Sequence, residues 1–317
     1  MPIRLYWRDG DPHVDWCFMG DTRFTEPFFE DTIQRRMRKP FNMLFRHRTS
    51  MNALEDVAKS TDVIPPTGFV FHMSRCGSTL VAQMFAALET SIVISEAPPI
   101  DSVLGAGKFG VTSDDTDRWL RSLIDVFGRR RSGIEKRFFI KFDSWNTLDL
   151  DRISRVFPDV PWIFLYRNPV EVIVSHMRQR GSQMIPGAIE RMLPDLSFDE
   201  VVKMPAEEYC GLVLERFLEA ALAHADDRHA LLVNYDELPA AATGSIASHF
   251  RADLSTDEIS SMLEASRFNA KSPQMSFEAD AARKRNEASD AAWAAAARWA
   301  DPLYEQLESK RLSVARS

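Results

Sequence analysis

Two clusters of residues in this chain have the types and spacing to hold a multiply charged anion. The first is Ser74-Arg75-Cys76-Gly77-Ser78-Thr79. An apolar run precedes it at Gly68–His72, and Leu80, Val81, Met84, Phe85 and Leu88 follow at helical spacing. That pattern predicts a strand, a tight polar turn and a helix. The start of such a helix carries unpaired N–H groups and the positive end of the helix dipole, so it attracts phosphate or sulfate. The turn supplies one cation, Arg75, and lacks the Gly-Lys-Ser/Thr ending of a triphosphate loop.

The second cluster lies in Tyr166-Arg167-Asn168-Pro169-Val170-Glu171-Val172-Ile173-Val174-Ser175. Trp162–Tyr166 reads as a strand, and Pro169 suits the first position of the next helix, where a missing N–H costs little. Arg167 then falls at the carboxyl edge of the sheet, where a guanidinium can grip a phosphate through two parallel hydrogen bonds. Ser175 adds a hydroxyl from the helix.

In this order the two clusters resemble the P-loop sulfotransferase superfamily, whose donor is 3′-phosphoadenosine 5′-phosphosulfate (PAPS). Arg75 stands at that family's loop cation, Gly77 at its glycine, and Ser78-Thr79 at its Thr-Thr pair. Ser74 replaces the usual proline and Cys76 the usual serine. Arg167, Pro169 and Ser175 match the second motif without a gap. The resemblance covers residues 67–236 and implies that Arg75, Cys76, Gly77, Ser78 and Thr79 cradle the 5′ end of the donor. It assigns the ribose 3′-phosphate to Arg167 and Ser175.

The tyrosyl-protein and carbohydrate branch of that family supplies further expectations. Lys141, in Lys141–Trp145, corresponds to a lysine that stabilises the transferring group. Glu96, after the second strand, corresponds to a catalytic base. Tyr235, in Leu231–Leu238, approaches the nucleotide, and Ser276 and Lys284 fall where a basic loop closes over it. Arg75, Lys141 and Glu96 are thus the expected catalytic residues. No metal is required, because the donor has no triphosphate chain. The acceptor is a small molecule, a glycan or a peptide.

Plainer readings exist for several of these residues. Lys141 also reads as a surface partner of Asp143, and Glu96 as a cap of the helix starting near Pro98. His72 reads as a structural histidine or an alternative base. Cys76 lies where a helix dipole lowers a thiol's pKa. A phosphatase reading fails because Arg75 precedes Cys76 rather than following it by five. Two other functions remain open: a P-loop nucleotide or small-molecule kinase, disfavoured by the missing lysine, and a non-catalytic nucleotide-binding module. Arg35-Arg36, Arg38-Lys39 and Arg129–Arg131 read as solvated basic faces.

Composition narrows the class. A net charge of −7 over 317 residues disfavours general nucleic-acid binding. Cys17, Cys76 and Cys210 show no metal or disulfide spacing. The N-terminus lacks an apolar signal core, and no apolar run is long enough to span a bilayer. These features imply a cytoplasmic protein without a membrane span.

The elements that must position the clusters alternate. Strands are predicted at Gly68–His72, Ile92–Ser95, Arg137–Phe142, Trp162–Tyr166 and Ala230–Asn234. Helices are predicted after the first loop and at Asp115–Phe127, Leu148–Phe157, Pro169–Arg180 and Glu207–Ala225. Such alternation implies an α/β fold of three layers, a P-loop-type, mainly parallel sheet with helices on both faces, binding its ligand beyond the strands' carboxyl ends. Residues 1–64 form an N-terminal leader of short strands and a helix packed on a core of residues 65–317. In the tail, Trp293, Ala297 and Ala300 share a helical stripe that Pro302 is expected to break. Residues 181–205 are expected to cover the pocket.

Overall fold

The computed structural model describes residues 1–60, 62–189, 191–269, 272–276 and 281–314, those at 269, 272–276 and 314 by backbone alone. In chain order its strands are β1 (Pro2–Arg8), β2 (Asp11–Trp16), β3 (His47–Ser50), β4 (Gly68–His72), β5 (Ser91–Ser95), β6 (Arg137–Lys141), β7 (Trp162–Tyr166), β8 (Ala230–Asn234), β9 (Phe268–Asn269) and β10 (Ser272–Ser276). Five of them form the central sheet in the order β5-β6-β4-β7-β8, every pair parallel. All residues of β4, β5, β6 and β7 are buried. Their continuous apolar runs are what a sheet covered by helices on both faces demands.

The first strand of this sheet in the chain, β4, lies at its centre. Its neighbours β6 and β7 diverge in chain order, so the loop after β4 opens at a topological switch point. Aromatic rings pack around it, among them Phe71 stacked on Phe142 at 4.7 Å and Phe85 tilted against Phe139 at 4.4 Å.

β1, β2 and β3 form a separate antiparallel sheet. Leu5, Val14, Phe24 and Phe29 from this region join the same hydrophobic cluster as Phe69 and Ile140. The helix predicted at 148–157 is shorter, Leu150–Val156, because a capped 3-10 turn at Ser144–Asp149 precedes it. β3, the helix Met51–Ser60 and the helix Thr256–Ala265 had no counterpart in the sequence reading.

The tail departs from expectation. Pro302 does not break the helix: helical structure runs on through it from Asp290 to Val314. A π-helical turn at Ala296–Ala300 joins Asp290–Ala295 to Asp301–Val314. The buried face consists of Ala292, Ala295, Ala296 and Ala300, while Trp293 and Ala297 are exposed. The expected stripe had the wrong phase: Ala292 and Ala295 already face the core in the regular turn before the π segment, and of the expected three only Ala300 is buried.

Candidate functional site

At the end of β4 the backbone takes left-handed values at Ser74 (φ 76°), Arg75 (φ 53°) and Gly77 (φ 84°). A turn of this kind can bring successive N–H groups to one side and make an anion-binding concavity. Two of these residues are not glycine, so the loop stores backbone strain at the end of β4. Gly77 has a second constraint, since a Cβ there would lie 2.6 Å from Leu238 and 3.0 Å from the ring of Tyr235. The helix Ser78–Ala86 starts immediately afterwards with Gly77 as its N-cap.

Strand register brings the other residues to this loop. Tyr166 pairs with Asn234, so Arg167 and Tyr235 leave the sheet side by side. The Arg167 guanidinium stacks on the Tyr235 ring at 3.9 Å, an attraction that fixes its plane. Ser95 pairs with Lys141, and the N–H of Glu96 donates to the Lys141 carbonyl at 2.7 Å. Glu96 itself has φ 53°, which turns the chain sharply at the sheet edge.

One cavity of about 420 Å³ gathers these groups, within the range of small-molecule sites. Arg75, Cys76, Gly77, Ser78, Thr79, Glu96, Arg167, Ser175, Tyr235 and Lys284 all line it. Lys141 does not. Its side chain is fully buried behind the wall, where its ammonium bonds the Glu96 carboxylate and lies 5.3 Å from the Phe28 ring centre. Lys141 is therefore not a surface partner of Asp143, and Glu96 makes no helix cap, the N-cap there being Ala97. Lys284 is buried at the cavity on the helix Ala281–Asn286. Ser276 falls on β10, where only the backbone is described.

The ionisable groups are pushed in opposite directions. Burial raises the Glu96 pKa, but the Lys141 charge and the His72 contact outweigh it and hold the carboxyl well below the usual range. Asp143 lines the same cavity, and burial together with the charge of Glu96 pushes it well above that range. Burial also pushes down His72, whose Nδ1 accepts the Ser74 N–H at 3.1 Å. The ring proton therefore lies on Nε2 and is donated to the Phe142 carbonyl at 3.1 Å. Both ring nitrogens are committed to the backbone, so His72 holds the loop in place.

Cys76 requires a correction. Its thiol points into the core and donates to the Leu165 carbonyl at 3.1 Å. Burial pushes it up to about 12, not down. Only the main chain of Cys76 can serve an anion.

Several site residues were not identified from sequence. Glu171, almost fully buried, accepts from Arg167 Nε at 2.6 Å and from Arg285 Nε at 2.6 Å. Gln183 donates to Ser74 Oγ at 2.7 Å, and Arg75 donates to the Gln179 carbonyl at 2.7 Å. These bonds tie residues 179 and 183, at the entry to the 181–205 segment, to the loop. Phe28, Asp143, Ser144 and Trp145 complete the wall. The i, i+4 spacing of Arg167 and Glu171 was visible in the sequence, but their burial was not.

Among the described residues no cluster of His, Cys, Asp and Glu could hold a metal, and no helix is long and apolar enough to cross a membrane. No protein-family model and no curated protein matches the chain. Among solved structures, it is similar to a sulfotransferase from Mycobacterium avium at 11% identity and a TM-score of 0.45, over 68% of this chain and 71% of that one. It is also similar to a mouse sulfotransferase complexed with PAP, at 11% identity and a TM-score of 0.44, over 85% and 97% of the two chains. A third is the sulfotransferase domain of the Synechococcus olefin synthase, at 14% identity and a TM-score of 0.42, over 71% of this chain and 84% of that one.

Proposed function

We propose that this protein is a sulfotransferase that moves a sulfuryl group from PAPS to a hydroxyl or amine acceptor, leaving 3′,5′-adenosine bisphosphate (PAP). The reading rests on one observation. The strained loop after β4 and the Arg167–Ser175 pair after β7 line the same cavity, and Lys284 from a third, chain-distant element lines it too. One phosphate site explains one of these clusters, while a nucleotide phosphorylated at both 3′ and 5′ positions uses both.

In this reading, the loop N–H groups and Arg75 hold the 5′ phosphosulfate and stabilise charge on its leaving oxygen. Arg167, Ser175 and Lys284 hold the 3′-phosphate, and Tyr235 keeps the Arg167 guanidinium in plane. Glu96, ionised at neutral pH and exposed to the cavity, accepts the acceptor's proton as its oxygen or nitrogen bonds to sulfur. Lys141 acts through Glu96, balancing its charge and fixing its orientation. Sulfuryl transfer resembles phosphoryl transfer in asking the protein mainly for positioning and electrostatics.

Thermal-shift titration with PAP, AMP and ATP, with and without Mg²⁺, tests the donor assignment. The expected result is a rise in melting temperature with PAP alone and no metal requirement. A shift confined to ATP with Mg²⁺ would replace this reading with a kinase. Turnover is then checked with radiolabelled PAPS and a panel of alcohols, phenols, amines and saccharides.

A further inference from the structure

Outside the cavity, five large apolar side chains are exposed together. Met43 and Leu44 are 60% and 77% exposed, and Phe18, Phe41 and Phe45 stand beside them. Phe41 packs against Phe18 at 4.9 Å and against Phe45 at 5.0 Å, so the three rings form one ridge. Exposed apolar clusters of this kind mark interaction sites.

The ridge is held rigidly. Asn42, buried beneath it, accepts the Phe18 N–H at 2.8 Å and donates to the carbonyls of Phe18 at 2.9 Å and Arg36 at 3.0 Å. A satisfied buried amide fixes the short helix Pro40–Leu44, so the apolar residues are presented outward by an ordered backbone.

Cations surround the ridge. Arg35, Arg36, Arg38, Lys39, Arg46 and Arg48 fall between positions 35 and 48, a stretch with no Asp or Glu, in a chain whose net charge is −7. Arg35 pairs with Glu26 and Arg48 with Asp15. Arg38, Lys39 and Arg46 are exposed and make no ion pair among the described residues. A shallow cavity of about 430 Å³ beside them is lined by Arg23, Arg35, Arg36 and Lys39 together with Asp21, Thr22 and Thr25.

We propose that this face docks on an anionic lipid bilayer, with Phe41, Met43, Leu44 and Phe45 entering the interface and Arg38, Lys39 and Arg46 meeting the headgroup phosphates. A basic collar around an apolar tip is complementary to such a surface in both charge and polarity. An acidic protein would match the collar but would also need an apolar pocket opposite the tip, whereas a bilayer interface offers both everywhere on its surface. The helix Phe29–Met37 links this face to Phe28 in the cavity wall, and its nine residues span ~14 Å. The docking surface does not depend on the identity of the donor.

Co-sedimentation of the full chain with phosphatidylcholine vesicles, with and without phosphatidylserine, tests the proposal. The protein is expected to pellet with phosphatidylserine vesicles and to stay in solution with phosphatidylcholine alone. Arg38→Gln/Lys39→Gln/Arg46→Gln is expected to weaken partitioning roughly a hundredfold, about fivefold for each charge lost. Leu44→Asp/Phe45→Asp is expected to abolish it. Both variants change exposed side chains, so unchanged circular dichroism and melting temperature confirm that they are folded. A wild-type protein that ignores phosphatidylserine vesicles, or variants that pellet like it, would overturn the proposal. So would complete displacement by soluble glycerophosphoserine, which indicates a small-anion site. A wild-type dimer that Leu44→Asp/Phe45→Asp converts to a monomer, with no vesicle binding, would assign the face to a second copy of the chain.

Discussion

The ammonium of Lys141 and the carboxylate of Glu96 form a buried ion pair at the ends of two adjacent parallel strands. Lys141 is wholly enclosed, whereas Glu96 keeps an edge on the cavity. Removing one charge strands the other in a poorly solvated place. Lys141→Ala is therefore expected to cost about 3 kcal/mol in urea unfolding at pH 7. Lys141→Met combined with Glu96→Gln is expected to recover most of that loss. The native Glu96 pKa lies below its unfolded value, so the pair's contribution is complete above the ordinary glutamate range and fades on acidification. Glu96→Gln should flatten that acid limb.

Glu96 and Asp143 line one cavity with pKa values pushed apart, the pattern that separates acid and base roles. Glu96→Gln is expected to reduce kcat by ~10²–10⁴-fold while PAP affinity changes little. Asp143→Asn is expected to retain most of the turnover. A larger loss with Asp143→Asn would transfer the proton-accepting role to Asp143. Stability gives an independent check. Native Asp143 keeps its proton at pH values where the unfolded chain has lost it, so its contribution declines as pH rises through that window. Asp143→Asn should remove this decline.

Glu171 joins the expected 3′-phosphate arginine to the helix that carries Lys284. Arg167→Ala is expected to weaken PAP binding roughly 10–100-fold, the worth of a charge-assisted hydrogen bond, with AMP binding unchanged. Arg285→Ala acts only by releasing the helix, so it should cost less, and Arg285→Lys should restore part of the loss. Calorimetric titration of both nucleotides measures each effect. Equal PAP affinity in Arg167→Ala would remove Arg167 from the 3′-phosphate site.

Gly77→Ala combines a left-handed backbone with a Cβ 2.6 Å from Leu238. A stability loss of about 1–3 kcal/mol is expected, with PAP binding weakened as the loop shifts. Thermal melts with and without PAP separate the two effects.

All three thiols are buried, and burial pushes Cys76 up to about 12. Cys76 is therefore held as the thiol, which is not the nucleophilic form. No thiol is expected to react with Ellman's reagent in the native protein, and all three should react after denaturation. A fast-reacting equivalent in the native state would contradict the burial of Cys76.

Much of the central sheet was legible in the sequence. β4, β7 and β8 occupy the expected residues, because short apolar runs bounded by polar turns leave little freedom for a buried parallel strand. The order of elements likewise implied a parallel sheet with its loops on one edge. The N-terminal β3 was missed because its residues, His47-Arg48-Thr49-Ser50, have no apolar alternation. The π turn before Pro302 was missed because a period-based reading assumes an unbroken helix.

The sequence by itself determined the residue types of the loop after β4, the spacing of Arg167 and Ser175, and the strands that carry them. These are local properties, set by side-chain chemistry and short-range periodicity. Only the tertiary structure decided that Lys141 lies behind Glu96, that Cys76 faces the core, and that Glu171 bridges Arg167 and Arg285. It also decided that Asp143 shares the cavity and that Phe41, Met43, Leu44 and Phe45 are turned outward. Burial and charge pairing arise from residues distant in the chain, joined here by the register of parallel strands and by packing across the sheet.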